Sequence, residues 1–128
     1  MGLNLYSQEK DSEKLSHLKQ LLLMAVADGH LHDKELAAIA AVMSRDNLTE
    51  EDFAKCIDDP DSIDIVLPKS DNSRVKYLRD MVLLMMADGV IDKSEMETCR
   101  LTAEALGFRS DVVDELLQGL IKSIRQEA

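Results

Sequence analysis

The sequence predicts an all-α fold, and three observations carry that prediction. Only Tyr6, Phe53, Tyr77 and Phe108 are aromatic and Trp is absent, while Leu, Ala, Met, Glu, Lys and Asp dominate, a composition that favours helix over sheet. Apolar residues recur at three- and four-residue spacing rather than in alternation. The segments so patterned are separated by Gly, Asn or Pro, where helices stop. At 128 residues, 45% of them hydrophobic, the chain has the length of one domain with one core.

The first helix is expected from the second decade of residues to Asp28. Leu15, Leu18, Leu22 and Ala25 form its stripe, His17 is placed on the solvent side, and the pattern stops at Gly29. A second helix spans about residues 33–46, with Leu36, Ile39, Ala40 and Met43 inward. Asn47 suits a left-handed helix end, and Thr49 suits the N-cap of a short third helix carrying Phe53, Cys56 and Ile57. Pro60 and Pro68 bracket residues 58–73, whose apolar run is too short for a helix. This segment reads as a connector docking Ile63, Ile65 and Leu67 on the core. Helices resume over about residues 74–88, 93–106 and 111–125, the last with Ser110 as N-cap and a stripe from Val112 to Ile124.

At an offset of sixty the two halves align. "LLLMAVADGHLHDKEL", residues 21–36, matches "MVLLMMADGVIDKSEM", residues 81–96, with Ala27/Ala87, Asp28/Asp88, Gly29/Gly89 and Glu35/Glu95 identical. The expectation is a single domain over residues 1–128, a compact bundle of about six or seven helices. It would comprise two pseudo-symmetric helical repeats, residues 11–57 and 74–125, joined by the connector 58–73.

The formal net charge is -10, and the acids concentrate between Asp46 and Asp64. Such a surface repels phosphate backbones, and few aromatics are available for base stacking, so nucleic acid is excluded as the expected partner. The N-terminus lacks the apolar stretch of a signal peptide, and the runs "LLLMAVA" and "MVLLMMA" fall far short of a membrane span. A soluble, cytoplasmic protein with no membrane insertion is expected. Cys56 and Cys99 lie in apolar helical patterns without C-x-x-C spacing and read as buried free thiols. The methionines read as core gap-fillers.

The twin Ala-Asp-Gly-x-(Leu/Ile)-x-x-x-Glu turns are the candidate site. Gly29 and Gly89 suit a left-handed helix end, Leu31 and Ile91 plug the hairpin core, and Asp92 with Glu95 has capping-box spacing. Asp28 and Asp88 each fall in the last turn of a helix, where an acid costs about 0.3–1 kcal/mol. Either each carboxylate accepts backbone N–H groups of its own turn, or it joins the Glu seven residues on to hold a hard cation. An EF-hand is rejected, because its first and third ligand positions fall on Met24 and Val26 and on Leu84 and Met86. On the cation reading the ligands are Asp28, Glu35, Asp88, Asp92 and Glu95, and the cofactor is Ca²⁺ or Mg²⁺ before Zn²⁺. His30 and His32 flank the first turn only and read as surface histidines.

Together with "DIVLPKSDNSRVKYLRDMVLLMMADG", residues 64–89, these turns resemble the tellurite-resistance TerB-like family of all-helical domains, over about residues 15–120. The resemblance implies about seven helices, with the connector contributing a short one. It also implies an association with tellurite and chemical stress response and divalent-metal binding at the turn acids. Family acids carry over to Asp28, Glu35, Asp88 and Glu95; Asp92 belongs to the second copy alone.

No nucleophile–base motif, Gly-rich phosphate loop or complete metal triad is present, so no enzyme is expected. The expected function is a non-enzymatic acidic module binding a divalent cation at its twin turns. The alternative is a structural protein–protein adaptor with no metal site, whose acidic surface docks a basic partner.

Overall fold

The computed structural model describes residues 3–27, 31–87 and 89–127, with side-chain surroundings for 12–27, 31–87 and 89–123. Six α-helices follow one another: α1 Leu3–Ala25, α2 Asp33–Asp46, α3 Glu50–Asp58, α4 Asp71–Met86, α5 Lys93–Ala105 and α6 Val112–Glu127. A 3₁₀ turn, Pro60–Ser62, lies between α3 and α4. The α-helix count and the all-α class agree with the sequence pattern. α1 packs on α2 and α3, α4 packs on α5 and α6, and the halves join where α4 meets α1 and α2.

The element boundaries have local causes. α1 begins well before the second decade of residues, because "SQEKDSEK" holds mostly good helix formers and no Gly or Pro. Asn47 takes the left-handed conformation (φ 58°) and ends α2. Thr49 caps α3 reciprocally: its hydroxyl accepts the Asp52 N–H at 3.2 Å, while its own backbone N–H donates to Asp52 Oδ2 at 2.8 Å. The Ser70 hydroxyl accepts the Ser73 N–H and starts α4 three residues earlier than the apolar pattern suggests. Gly89 has φ +81°, which a residue with a Cβ resists, and it closes the second acidic turn.

The core runs between α1 and α4. Leu18, Leu21, Leu22 and Ala25 of α1 meet one cluster with Leu78, Met81, Val82, Leu84 and Met85 of α4, Ile39 of α2, Cys99 and Ala103 of α5, and Val113 of α6. Both central helices are buried on more than one stripe because each is covered by two later helices. Met24, Met81 and Met85 are buried and Met43, Met86 and Met96 partly so, which fits the gap-filling expectation. Both cysteines are buried free thiols. Burial raises the Cys56 thiol and pushes Cys99 up to about 12, so both stay protonated.

Several placements differ from expectation, beginning with Leu36 and Ala40, which the α2 stripe set inward and which are exposed. His17 is not on the solvent side but 6% exposed. The connector buries Ile63 and packs Leu67 on the core but turns Ile65 outward. Its course is set by two α1 side chains: Ser16 Oγ accepts the Val66 N–H at 2.7 Å, and Lys19 Nζ donates to the Ile63 carbonyl at 2.7 Å. Leu31 packs against the core, but Ile91 is exposed, so only the first turn is plugged. Asp46, counted with the acidic surface, is buried in an ion-pair cluster.

Candidate functional site

The packing of α1 against α4 brings the two acidic turns together. Glu35 from the first and Asp92 and Glu95 from the second line one small cavity of about 80 Å³, with Met24, Ala25 and Ala27 as its apolar side. The carboxylates of Glu35 and Asp92 serve helix starts. Glu35 is buried, its Oε1 accepts the His32 backbone N–H at 3.4 Å, and it lies 3.9 Å from His32 Nε2. Asp92 Oδ1 accepts the Ser94 N–H at 2.7 Å and the Ser94 hydroxyl at 2.8 Å, fixing the first turn of α5. The reciprocal box therefore forms at His32 and Glu35, although the sequence pointed to Asp92 and Glu95.

This arrangement overturns the expected cation site. Among the described residues, no group of three or more His, Cys, Asp or Glu is placed to hold a metal ion. A hard cation needs several oxygens converging on one point. Here Glu35 Oε1 and Asp92 Oδ1 point instead at N–H groups of their own helix starts. The Ca²⁺ or Mg²⁺ cofactor and the metal-binding function are corrected accordingly. Asp28, Gly29, His30 and Asp88, named in the sequence reading, lie outside the described residues.

A second polar constellation, unforeseen from the sequence, lies between α1, α2 and α4. Asp80, 7% exposed, accepts His17 Nε2–H at 2.8 Å and a two-pronged contact from Arg45, Nη1 to Oδ1 at 3.0 Å and Nη2 to Oδ2 at 2.8 Å. Arg45 also donates to both Asp46 oxygens at 3.1 Å, and Lys76 approaches Asp46 at 3.9 Å. Burial alone would raise the Asp80 carboxyl, but the hydrogen bonds from His17 and Arg45 outweigh it and hold the group below its usual range. The Arg45 guanidinium is raised, chiefly by Asp80, so the Arg45–Asp80 pair is ionised at neutral pH.

His17 stacks at 4.2 Å, ring centroid to centroid, on Tyr77, which is 3% exposed. Burial pushes the Tyr77 phenol above its usual range; the nearby Ser16 hydroxyl pulls weakly the other way, without a well-formed hydrogen bond. His17 Nδ1 and the Tyr77 hydroxyl are buried without a hydrogen-bond partner among the described residues. Each such orphan costs about 1–3 kcal/mol. Two side by side mark a place where stability has been given up. One sequence signal could have found the pair: His17 and Tyr77 stand at the same offset of sixty that aligns the two halves.

Both residues line an open cleft of about 660 Å³. One side is the α1 stretch from Ser12 to His17, and the end of α2 brings Arg45 and Asp46. The connector adds Val66, Pro68 and Lys69, and the first turns of α4 add Ser70, Ser73, Lys76 and Tyr77. On a chain of net charge -10, this cleft carries Lys14, Arg45, Lys69 and Lys76 against Glu13 and Asp46. Its sign is opposite to that of the molecule.

The fold and site define a class: an all-helical bundle domain with a buried ion network beneath an open cationic cleft. No family model matches the chain, and neither a curated protein nor a solved structure matches it. The tellurite-resistance and stress-response association expected from the twin turns therefore gains no support from relatives. Among the described residues, no helix is long and apolar enough to cross a membrane.

Proposed function

We propose that the chain is an interaction adaptor that acts by binding rather than by catalysis, docking a basic partner protein on the acidic ridge of α3 and the connector. The observation that carries this reading is the state of the acids there. Glu50, Glu51, Asp58, Asp59, Asp61 and Asp64 are all exposed, and among the described residues none is engaged in an ion pair. Asp46 and Asp52 drop out of the ridge, the first into the buried network and the second into the α3 cap. Ile57 and Ile65, each 46% exposed, add apolar contact within the same stretch. Unneutralised like charges repel one another, and a basic partner relieves that repulsion and is drawn in faster at low salt. Kinship with the TerB-like family enters the proposal through the twin Ala-Asp-Gly turns alone and brings no activity with it.

The test is capture by the immobilised 128-residue chain in the presence of chelator, compared with the variant Glu50→Gln, Glu51→Gln, Asp58→Asn, Asp61→Asn. A partner bound at low salt should be released as the Debye length shrinks to about 3 Å at molar salt. The neutralised variant, with an unchanged circular dichroism spectrum, should fail to capture it. Capture that survives neutralisation, or that chelator abolishes, would overturn the reading.

A further inference from the structure

We infer that the cleft between α1, the connector and α4 is a binding site for a small carboxylate with an apolar body, such as an aromatic or branched aliphatic acid. This site shares no residue with the acidic ridge and would take a ligand of opposite charge to the ridge's partner.

Three features of the cleft point to that chemistry. Its volume, about 660 Å³, lies in the range of small-molecule pockets. Among the described residues, Lys14 and Lys69 have no ion-pair partner, and Lys76 has only a 3.9 Å contact with Asp46. By contrast Arg45 is fully occupied by Asp46 and Asp80. Three lysines are thus available to an anion, and the α4 N-terminus beside Ser70 contributes positive potential on the same wall.

The second feature is the pair of orphaned polar atoms, His17 Nδ1 and the Tyr77 hydroxyl, on side chains that are 6% and 3% exposed and belong to the cleft wall. With Nε2–H committed to Asp80, the imidazole is held in one orientation, and Tyr77 stacked on it has a hydroxyl left to donate. Both orphaned atoms are sealed from solvent, so a carboxylate oxygen accepts from that hydroxyl once the cleft wall parts around the bound ligand. The third feature is apolar: Val66, Pro68 and the Tyr77 ring offer a surface for a hydrocarbon body rather than for a fully hydrated ion. Inorganic phosphate satisfies the first feature but not the third.

Benzoate is the probe, followed by backbone amide NMR of the intact chain, with benzamide as its neutral isostere, benzylamine as its cationic counterpart and inorganic phosphate as a bare anion. Benzoate should give saturable shifts confined to residues 12–17, 45–46 and 66–77, in the millimolar range that suits a fragment. Benzamide, benzylamine and phosphate should each bind roughly tenfold or more weakly. The double variant Lys14→Ala, Lys69→Ala should lose roughly tenfold in benzoate affinity. Tyr77→Phe should weaken it severalfold while leaving the circular dichroism spectrum intact. The four-site ridge variant should bind benzoate as the parent chain does, which separates this site from the adaptor surface. Shifts that do not saturate, that fall outside the cleft, that phosphate reproduces, or that persist unchanged in the lysine variant would overturn the inference.

Discussion

Replacing Asp80 with alanine removes an acceptor that ties α4 to both α1 and α2. Its three contacts are charged hydrogen bonds, at 2.8 Å from His17 Nε2 and at 3.0 and 2.8 Å from Arg45. Taken singly, each would be worth about 1.5–3 kcal/mol. Their sum overstates the loss, because the Arg45 side chain is 35% exposed, keeps its bonds to Asp46, and regains water when Asp80 is gone. His17, at 6% exposure, has no such recourse. The net cost is therefore about 3 kcal/mol, the low end for breaking a buried pair by removing one partner. With a urea slope of about 1.5 kcal/mol per molar, the unfolding midpoint should drop by about 2 M. Asp80→Asn, which keeps the volume and one acceptor oxygen, should lose about half as much. A double-mutant cycle with Arg45→Gln should return a coupling of about 1–2 kcal/mol. A midpoint shift for Asp80→Ala below about 0.3 M would refute the premise that this network holds the two halves together.

Two further predictions come from the same structure. The Asp80 carboxyl titrates below its ordinary 3.8 in the folded chain, so its contribution is complete above that pH and is lost as pH falls through the lower folded value. The stability gap between the parent chain and Asp80→Asn should accordingly narrow on acidification below about pH 4, measured by urea midpoints; a constant gap would argue against an ionised Asp80. Two glycines should respond with opposite sign to alanine. Gly89→Ala meets no atom within 4 Å but must adopt φ +81°, and should cost about 1–2 kcal/mol. Gly119→Ala in α6 also meets nothing and should gain about 0.5–1 kcal/mol. Thermal melts of the two variants decide the matter.

Much of the fold was legible because helix starts and stops are local chemistry. Asn47 ends α2, Thr49 caps α3 and Gly89 closes a turn for reasons carried by each residue and its immediate neighbours. The stripe Leu18, Leu22, Ala25 faces inward as its spacing requires. The same locality explains the failure at the acidic turns. Asp92 matched a ligand pattern by spacing, yet the pattern for a cation ligand and for an N-cap is the same at short range, and the cap claims its Oδ1.

What the sequence determined by itself is the helical class, the positions where helices break, and the apolar stripes, all set by interactions within a few residues along the chain. What only tertiary structure decided is which polar residues are buried. His17 sits near lysines and looks exposed by its neighbours; Asp80 follows Arg79 just ahead of the apolar run of α4, and Arg45 looks like an ordinary cation at a helix end. They come within hydrogen-bond distance only because α4 folds back on α1 and α2, bringing together residues 35 and 63 positions apart. The cost of desolvating a charge depends on partners at that range, and no local pattern records them. The cationic cleft has the same origin, since its lysines come from α1, the connector and α4, segments that meet only in the assembled bundle.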